Sequence, residues 1–243
     1  MKNEKVLKEA TEAEEIRKGK RYMLIGFVSM LFFMVADWLL DVMGAGNEEI
    51  GVLVNSNWSQ MAIWRFEASI VIASVAMPFY WLGIREFRKI IGKKCEGESG
   101  ICRGMGWLFG ISSMAGVIGF LYMHVMCCLF PIIFKIVDGT VQNVEVSAEI
   151  TNQIGNYVYP SFFTYYIIAD LGITIALIYF IMKGKLNVPK IAVLCNPVAG
   201  VVLSMVLEVV PITVLHDVKV AFESMGYVFM FLMGYWHLQR EQR

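Results

Sequence analysis

Basic side chains are almost missing from the long apolar stretches of this chain. Of its 21 lysines and arginines, all but Arg65, Lys135 and Lys219 fall into four clusters that alternate with apolar runs. A soluble domain spreads charge over its whole surface, so this segregation excludes that class and marks a polytopic membrane protein. Histidine is scarce as well. His124, His216 and His237 are the whole complement, and His237 belongs to the inner end of the last apolar run, so a three-histidine zinc site is excluded and only a mixed carboxylate and histidine site is left. No phosphate-binding P-loop and no paired-histidine metalloprotease helix occurs. Gly104, Gly106 and Gly110 imitate a dinucleotide-binding loop, but the last spacing is one residue too long and no strand precedes it. They read as helix-packing residues instead. The five cysteines offer no staple. Cys95 and Cys102 fall in or beside a cytoplasmic loop, where thiols stay reduced, and Cys127, Cys128 and Cys195 fall inside apolar runs as packing residues.

What is present is apolar: 57% hydrophobic residues and a mean hydropathy of +0.59, against about 45 to 50% in soluble domains. The runs place spans at 22–44, 61–84, 105–134, 159–182, 189–211 and 220–238, each long enough for a bilayer core. The fold class expected is therefore all-α, a polytopic bundle of six transmembrane helices. Lys2 to Arg21, Arg85 to Arg103, Lys183 to Lys190, and Arg240 with Arg243 are the four basic clusters. Cytoplasmic loops carry the Lys/Arg excess, so both termini are expected in the cytoplasm. Residues 1–21 form a cytoplasmic segment, either an amphipathic helix or a solvated tail. Residues 22–239 are the transmembrane domain, and 240–243 a cytoplasmic tail. The first run continues from Ala36 into Asp37, Trp38 and Leu39 without a small-x-small cleavage pattern, so it is read as a retained span. Trp58, Trp64, Trp107, Tyr157, Tyr159 and Trp236 sit near span ends as interface anchors. Net charge is zero, and no nucleic-acid partner is expected; the partner is the lipid bilayer.

Polar residues inside spans are costly in hydrocarbon and tend to face the bundle interior or a wet cavity. Helical spacing sorts them into stripes. Ser29, Phe33, Asp37 and Asp41 share a face of span 1, and Tyr166, Asp170 and Thr174 a face of span 4. Asn196, Gly200, Ser204 and Glu208 form the longest polar stripe, in span 5, with Pro197 expected to kink the helix. At 1.5 Å per residue, Asp37 lies roughly 22 Å from the inner end of its span, and His124 reaches a similar level. Arg65 and Glu67 enter from the outer end of span 2 on nearly opposite faces. The candidate ligand- or ion-binding residues are thus Asp37, Arg65, Glu67, His124, Tyr166, Asp170, Asn196, Ser204 and Glu208. Carboxylates outnumber cations in this set, and in a low-dielectric site the surplus must protonate, reach water or hold a cation.

Three functions fit this pattern. The first is binding or transport of a proton, a cation or a small cationic ligand in an outward-opening cleft. The second is a membrane-embedded lipid hydrolase or isomerase with a carboxylate base and His124 as acid partner. The seven-span zinc hydrolases and receptors of the ceramidase and adiponectin-receptor type offer a comparison, but this chain lacks their third pocket histidine and one span. The third is a non-catalytic protein acting through partners at its basic loops. For Arg65 with Asp37 or Glu67, a helix-locking ion pair is the competing reading. No cofactor is specified. Residues 136–158 cover the cleft mouth, as an interfacial helix or as a loop.

Ala36, Asp37, Trp38, Leu39 and Leu40, followed by Trp64, Arg65, Phe66 and Glu67 and then Pro78 and Gly83, resemble a family of six-span bacterial integral membrane proteins of unknown function. The likeness covers the first third of the chain. It implies a multi-pass protein of the plasma membrane and adds weight to Asp37 and Arg65, but supplies no activity.

Overall fold

The computed structural model describes residues 2–98, 100–210 and 212–242. Arg243 of the last basic cluster and Pro211 at the expected end of span 5 lie outside the described residues. Among the described residues the chain is all-α apart from a hairpin of two two-residue strands. In order it forms α1 (Lys2–Asp41), β1 (Glu49–Ile50), β2 (Val54–Asn55), α2 (Ile63–Cys95), α3 (Gly100–Val141), α4 (Val144–Tyr165), a π-helical turn (Tyr166–Leu171), α5 (Gly172–Met182), α6 (Pro197–Glu208), α7 (Thr213–Lys219) and α8 (Phe222–Glu241).

Among the described residues, four helical segments are long and apolar enough to cross a membrane: Ala10–Asp41, Ile63–Cys95, Gly100–Val141 and Val144–Met182. Their exposed faces carry Val71, Val75, Phe79 and Ile118, an outward apolar surface compatible with lipid as solvent. The buried faces meet around Phe33, Tyr80, Tyr227 and Phe231. Tyr227 stands edge-on to both Tyr80 and Phe120, with ring centroids 5.7 and 5.2 Å apart, a favoured aromatic geometry.

Small residues set the distances between helices. Gly83 of α2 faces Gly26 of α1 and the ring of Phe231 from α8, and a Cβ there would overlap both. Gly200 and Gly226 do the same for α6 and α8, each against the other helix's backbone. Close backbone approach of this kind holds helices together where lipid removes the hydrophobic drive.

The end of the bundle that carries the basic clusters is laced by polar pairs. Lys93 meets Glu15 at 2.7 Å, Lys94 meets Glu241 at 3.2 Å, Lys185 meets Glu98 at 2.5 Å, and Lys20 donates to Gln242 at 3.2 Å. Glu98 holds the Lys185 ammonium above its usual range through this bond. His237 is also at this end, where its Nδ1 accepts from the Asn187 amide at 2.9 Å. Cys95 and Cys102 are free and buried beside the α2–α3 turn, with sulfurs 3.4 Å apart.

Several elements differ from the sequence reading. The stretch 136–158 is mostly helix, since α3 runs on to Val141 and α4 starts at Val144, with Gln142 at φ 55° and Asn143 capping the Val146 amide at 3.1 Å. Expected span 5 is not one kinked helix. A 3₁₀ turn (Lys190–Leu194) precedes α6, which begins at Pro197 because Asn196 caps it, accepting from the Ala199 amide at 2.9 Å. Proline at the first helical position has no amide to lose, so it starts the helix rather than bending it. Residues 2–21 are a direct extension of α1, exposed over most of their described length. Trp58 is no interface anchor. It is buried within the connection between α1 and α2, against Phe134, ring centroids 6.1 Å apart.

Gly83→Val is expected to cost about 1–3 kcal/mol through overpacking. Gly92→Ala, where a Cβ meets nothing within 4 Å, is expected to stabilise by up to about 1 kcal/mol. Thermal unfolding of both variants in detergent checks this pair; equal effects would contradict the packing.

Candidate functional site

Near the end of the bundle opposite the basic clusters, α1, α3, α8 and the π-helical turn enclose a cavity of about 160 Å³. Its walls carry Asp37 and Asp41 from α1, His124 from α3, Glu223 and Ser224 from α8, Tyr165 at the end of α4 and Tyr166 at the start of the π turn; among the described residues no lysine or arginine lines it. The π turn inserts extra backbone into an otherwise continuous helix and aims Tyr166 and Asp170 inward. Such turns often occur at functional sites.

Donor and acceptor accounting locates a proton. The Ser69 hydroxyl lies 2.7 Å from the Ala36 carbonyl oxygen and 2.8 Å from His124 Nε2. A carbonyl only accepts, so the single hydroxyl hydrogen points at Ala36, and Nε2 must carry its own hydrogen and donate to Ser69. Nδ1 then faces Asp37 Oδ1 at 3.3 Å. With Nε2 already protonated, a hydrogen on Nδ1 would make the ring an imidazolium facing Asp37. The other oxygen of Asp37 accepts from Ser224 Oγ at 2.6 Å. The Phe33 ring, 5.2 Å from the imidazole, closes that side.

Asp170 forms a deeper layer. It is buried, and its Oδ1 accepts from Tyr227 Oη at 2.6 Å. Its Oδ2 makes no hydrogen bond of ordinary geometry, while Glu223 is close enough to interact with it electrostatically. Glu223 itself accepts from Tyr166 Oη at 3.1 Å. Tyr165 lines the cavity with a buried hydroxyl that has no partner, and its ring packs directly on Gly119. A buried polar group without a partner costs about 1–3 kcal/mol, so the unmatched hydroxyl and carboxyl oxygens are sites that water or a ligand would satisfy.

The order Ser69, His124, Asp37 imitates a hydrolase relay, but the hydroxyl is fully buried and its hydrogen is committed to Ala36. Ser69 therefore orients the imidazole and is not a nucleophile.

The chain's residues 1–241 match the pattern of a family of unknown function, DUF6796. The chain belongs to that family. The match spans every element that supplies the cavity. No curated protein and no solved structure matches the chain.

Among the residues that the sequence suggests for a site, Asp37, His124 and Tyr166 meet at the cavity, with Asp170 in the layer below. The others are elsewhere. Arg65 caps α1, donating to the carbonyls of Val42 at 2.9 Å and Trp38 at 3.4 Å, where a cation also complements the helix dipole. It pairs with neither Asp37 nor Glu67. Glu67 is on the exposed face of α2. Asn196 is spent on capping α6 and on Thr174, whose hydroxyl donates to it at 3.0 Å. Ser204 is half-buried on α6, and Glu208 is exposed, bonded to Lys219 and 3.7 Å from His216. Glu223 and Ser224 were not anticipated. The available signal was the four-residue spacing of Glu223 and Tyr227, which puts both on one face of α8.

Tyr227→Phe removes the donor to Asp170 and is expected to destabilise by about 1–3 kcal/mol. Combined with Asp170→Leu it should cost less than the sum of the two single changes, because the orphaned carboxyl is gone. Detergent melting of the four proteins of this cycle measures the coupling; strict additivity would contradict the contact.

Proposed function

We propose that the chain is a six-span protein of the plasma membrane, with both termini cytoplasmic, and that its acidic cavity binds a small cation in competition with protons. The observation that carries the functional part is the cavity wall: three carboxylates, one imidazole already bonded to Ser69, and no lysine or arginine. Two features support the topology. Pairs such as Lys93 with Glu15 and Lys94 with Glu241 bring basic clusters together at one end, as expected of a cytoplasmic face. In addition, α8 has 20 residues, about 30 Å of helix and the thickness of a hydrocarbon core.

Cavity size selects the ligand class. At about 160 Å³ it is smaller than the roughly 300–1,000 Å³ typical of pockets for drug-sized molecules. That favours a proton or a small amine over a lipid, and a metal ion less so, since among the described residues no three His, Cys, Asp or Glu side chains are grouped to hold one. The hydrolase or isomerase reading is weaker, since the hydroxyl beside His124 is committed and the cavity would not admit an acyl chain. Carboxylates that bind a cation must give up protons, so binding should strengthen as pH rises.

Purified protein in detergent, melted with sodium, magnesium, calcium or methylammonium at several pH values, tests this. A ligand at about 100 times its dissociation constant should stabilise by about 2.7 kcal/mol. The rise should grow with pH and vanish in Asp37→Asn and Glu223→Gln. No response of the wild-type protein to any of these cations would contradict the proposal.

A further inference from the structure

A second concave site lies at the basic end, and its chemistry is opposite to that of the acidic cavity. Between α2 and α3 a groove of about 710 Å³ is lined by Arg85, Arg88, Lys89 and Arg103, with no carboxylate in its wall. Arg88 and Arg103 form no ion pair among the described residues. Lys89 reaches Glu86 at 3.2 Å. Arg85 lies over the Tyr22 ring at 5.2 Å, and its buried Nε has no partner. Three glycines, Gly92, Gly106 and Gly110, keep the floor open. The rest of the wall is apolar, ending in Ile111 and Met114, with Trp107 standing 72% exposed at the rim.

We infer that this groove binds an anionic phospholipid of the inner leaflet, with the phosphate among Arg85, Arg88 and Arg103 and an acyl chain along Trp107, Ile111 and Met114. Charge decides for an anion, since four cations without a lining carboxylate disfavour a neutral or cationic group. Depth decides for a lipid over free phosphate. From Arg103 to Met114 the helix rises about 16 Å, close to half of a roughly 30 Å hydrocarbon core, which is one leaflet. Basic pockets between transmembrane helices on the cytoplasmic side are suited to anionic headgroups. The inference rests on the proposed bilayer insertion with this end cytoplasmic, and is independent of the acidic cavity.

The test uses full-length protein in phosphatidylcholine vesicles carrying equal fractions of brominated phosphatidylglycerol or brominated phosphatidylcholine. Trp107 fluorescence is taken as the difference between wild type and Trp107→Phe. Stronger quenching by the brominated phosphatidylglycerol is expected. Its preference should fall about fivefold for each of Arg88→Gln and Arg103→Gln. Gly110→Leu keeps every charge and fills the groove, where a Cβ would meet only Arg88 at 3.8 Å, and it should lose the preference too; should that variant not fold, the arginine variants decide. Equal quenching by the two lipids, or a preference untouched by these substitutions, would overturn the site. Loss of the preference on adding inorganic phosphate would show a phosphate site instead. Absence of quenching by either lipid would overturn bilayer insertion itself.

Discussion

Four carboxyl groups, Asp37, Asp41, Asp170 and Glu223, are gathered around one imidazole, and the arrangement of the candidate site follows from that imbalance. In a low-dielectric interior they cannot all be ionised beside a single counter-charge. Asp37, Asp170 and Glu223 are each held by a hydroxyl rather than by a lysine or arginine. Ser224 donates to Asp37, Tyr227 to Asp170 and Tyr166 to Glu223. The nearest strong cation, Arg65, is turned away onto the end of α1. A site built to lock helices by ion pairing would have used it. Carboxyl groups satisfied by neutral donors keep the freedom to exchange a proton for another cation.

The scaffold fixes these groups on rigid elements. Gly26, Gly83 and Phe231 set α1, α2 and α8 at close range, while Gly119 admits the Tyr165 ring against α3. The π turn then rotates Tyr166 and Asp170 inward without breaking the helix that carries them. Nearer the basic clusters, Gly92, Gly106 and Gly110 line the basic groove between α2 and α3. An acidic cavity at one end and a basic groove at the other suit two different solvents and two different ligands.

Faces were readable from spacing, but not the direction in which a face points. The stripe through Phe33, Asp37 and Asp41 was plain because its period matches a helix, and α1 runs unbroken through it. His124 and Asp170 were found because an ionisable group deep in an apolar run has few structural alternatives. Glu223 was missed because it opens the last apolar run within reach of the surface, where a solvated glutamate is the ordinary expectation; it is half-buried in the cavity wall, where Tyr166 donates to it. Asn196 and Glu208 belong to a stripe with helical spacing, yet Asn196 lies outside the helix as its cap, and Glu208 faces Lys219 from a neighbouring element. Arg65 was judged by its charge, when the four unmatched carbonyls at the end of α1 were equally strong partners.

Proton release on addition of sodium, magnesium or calcium chloride, followed with an indicator dye in weakly buffered detergent solution, is the most direct measurement. If protons on His124 and the cavity carboxyls exchange for a cation, the solution acidifies as the cation binds, and Asp37→Asn abolishes the signal. Cation binding without acidification, or acidification unchanged in Asp37→Asn, would contradict proton exchange at this cavity.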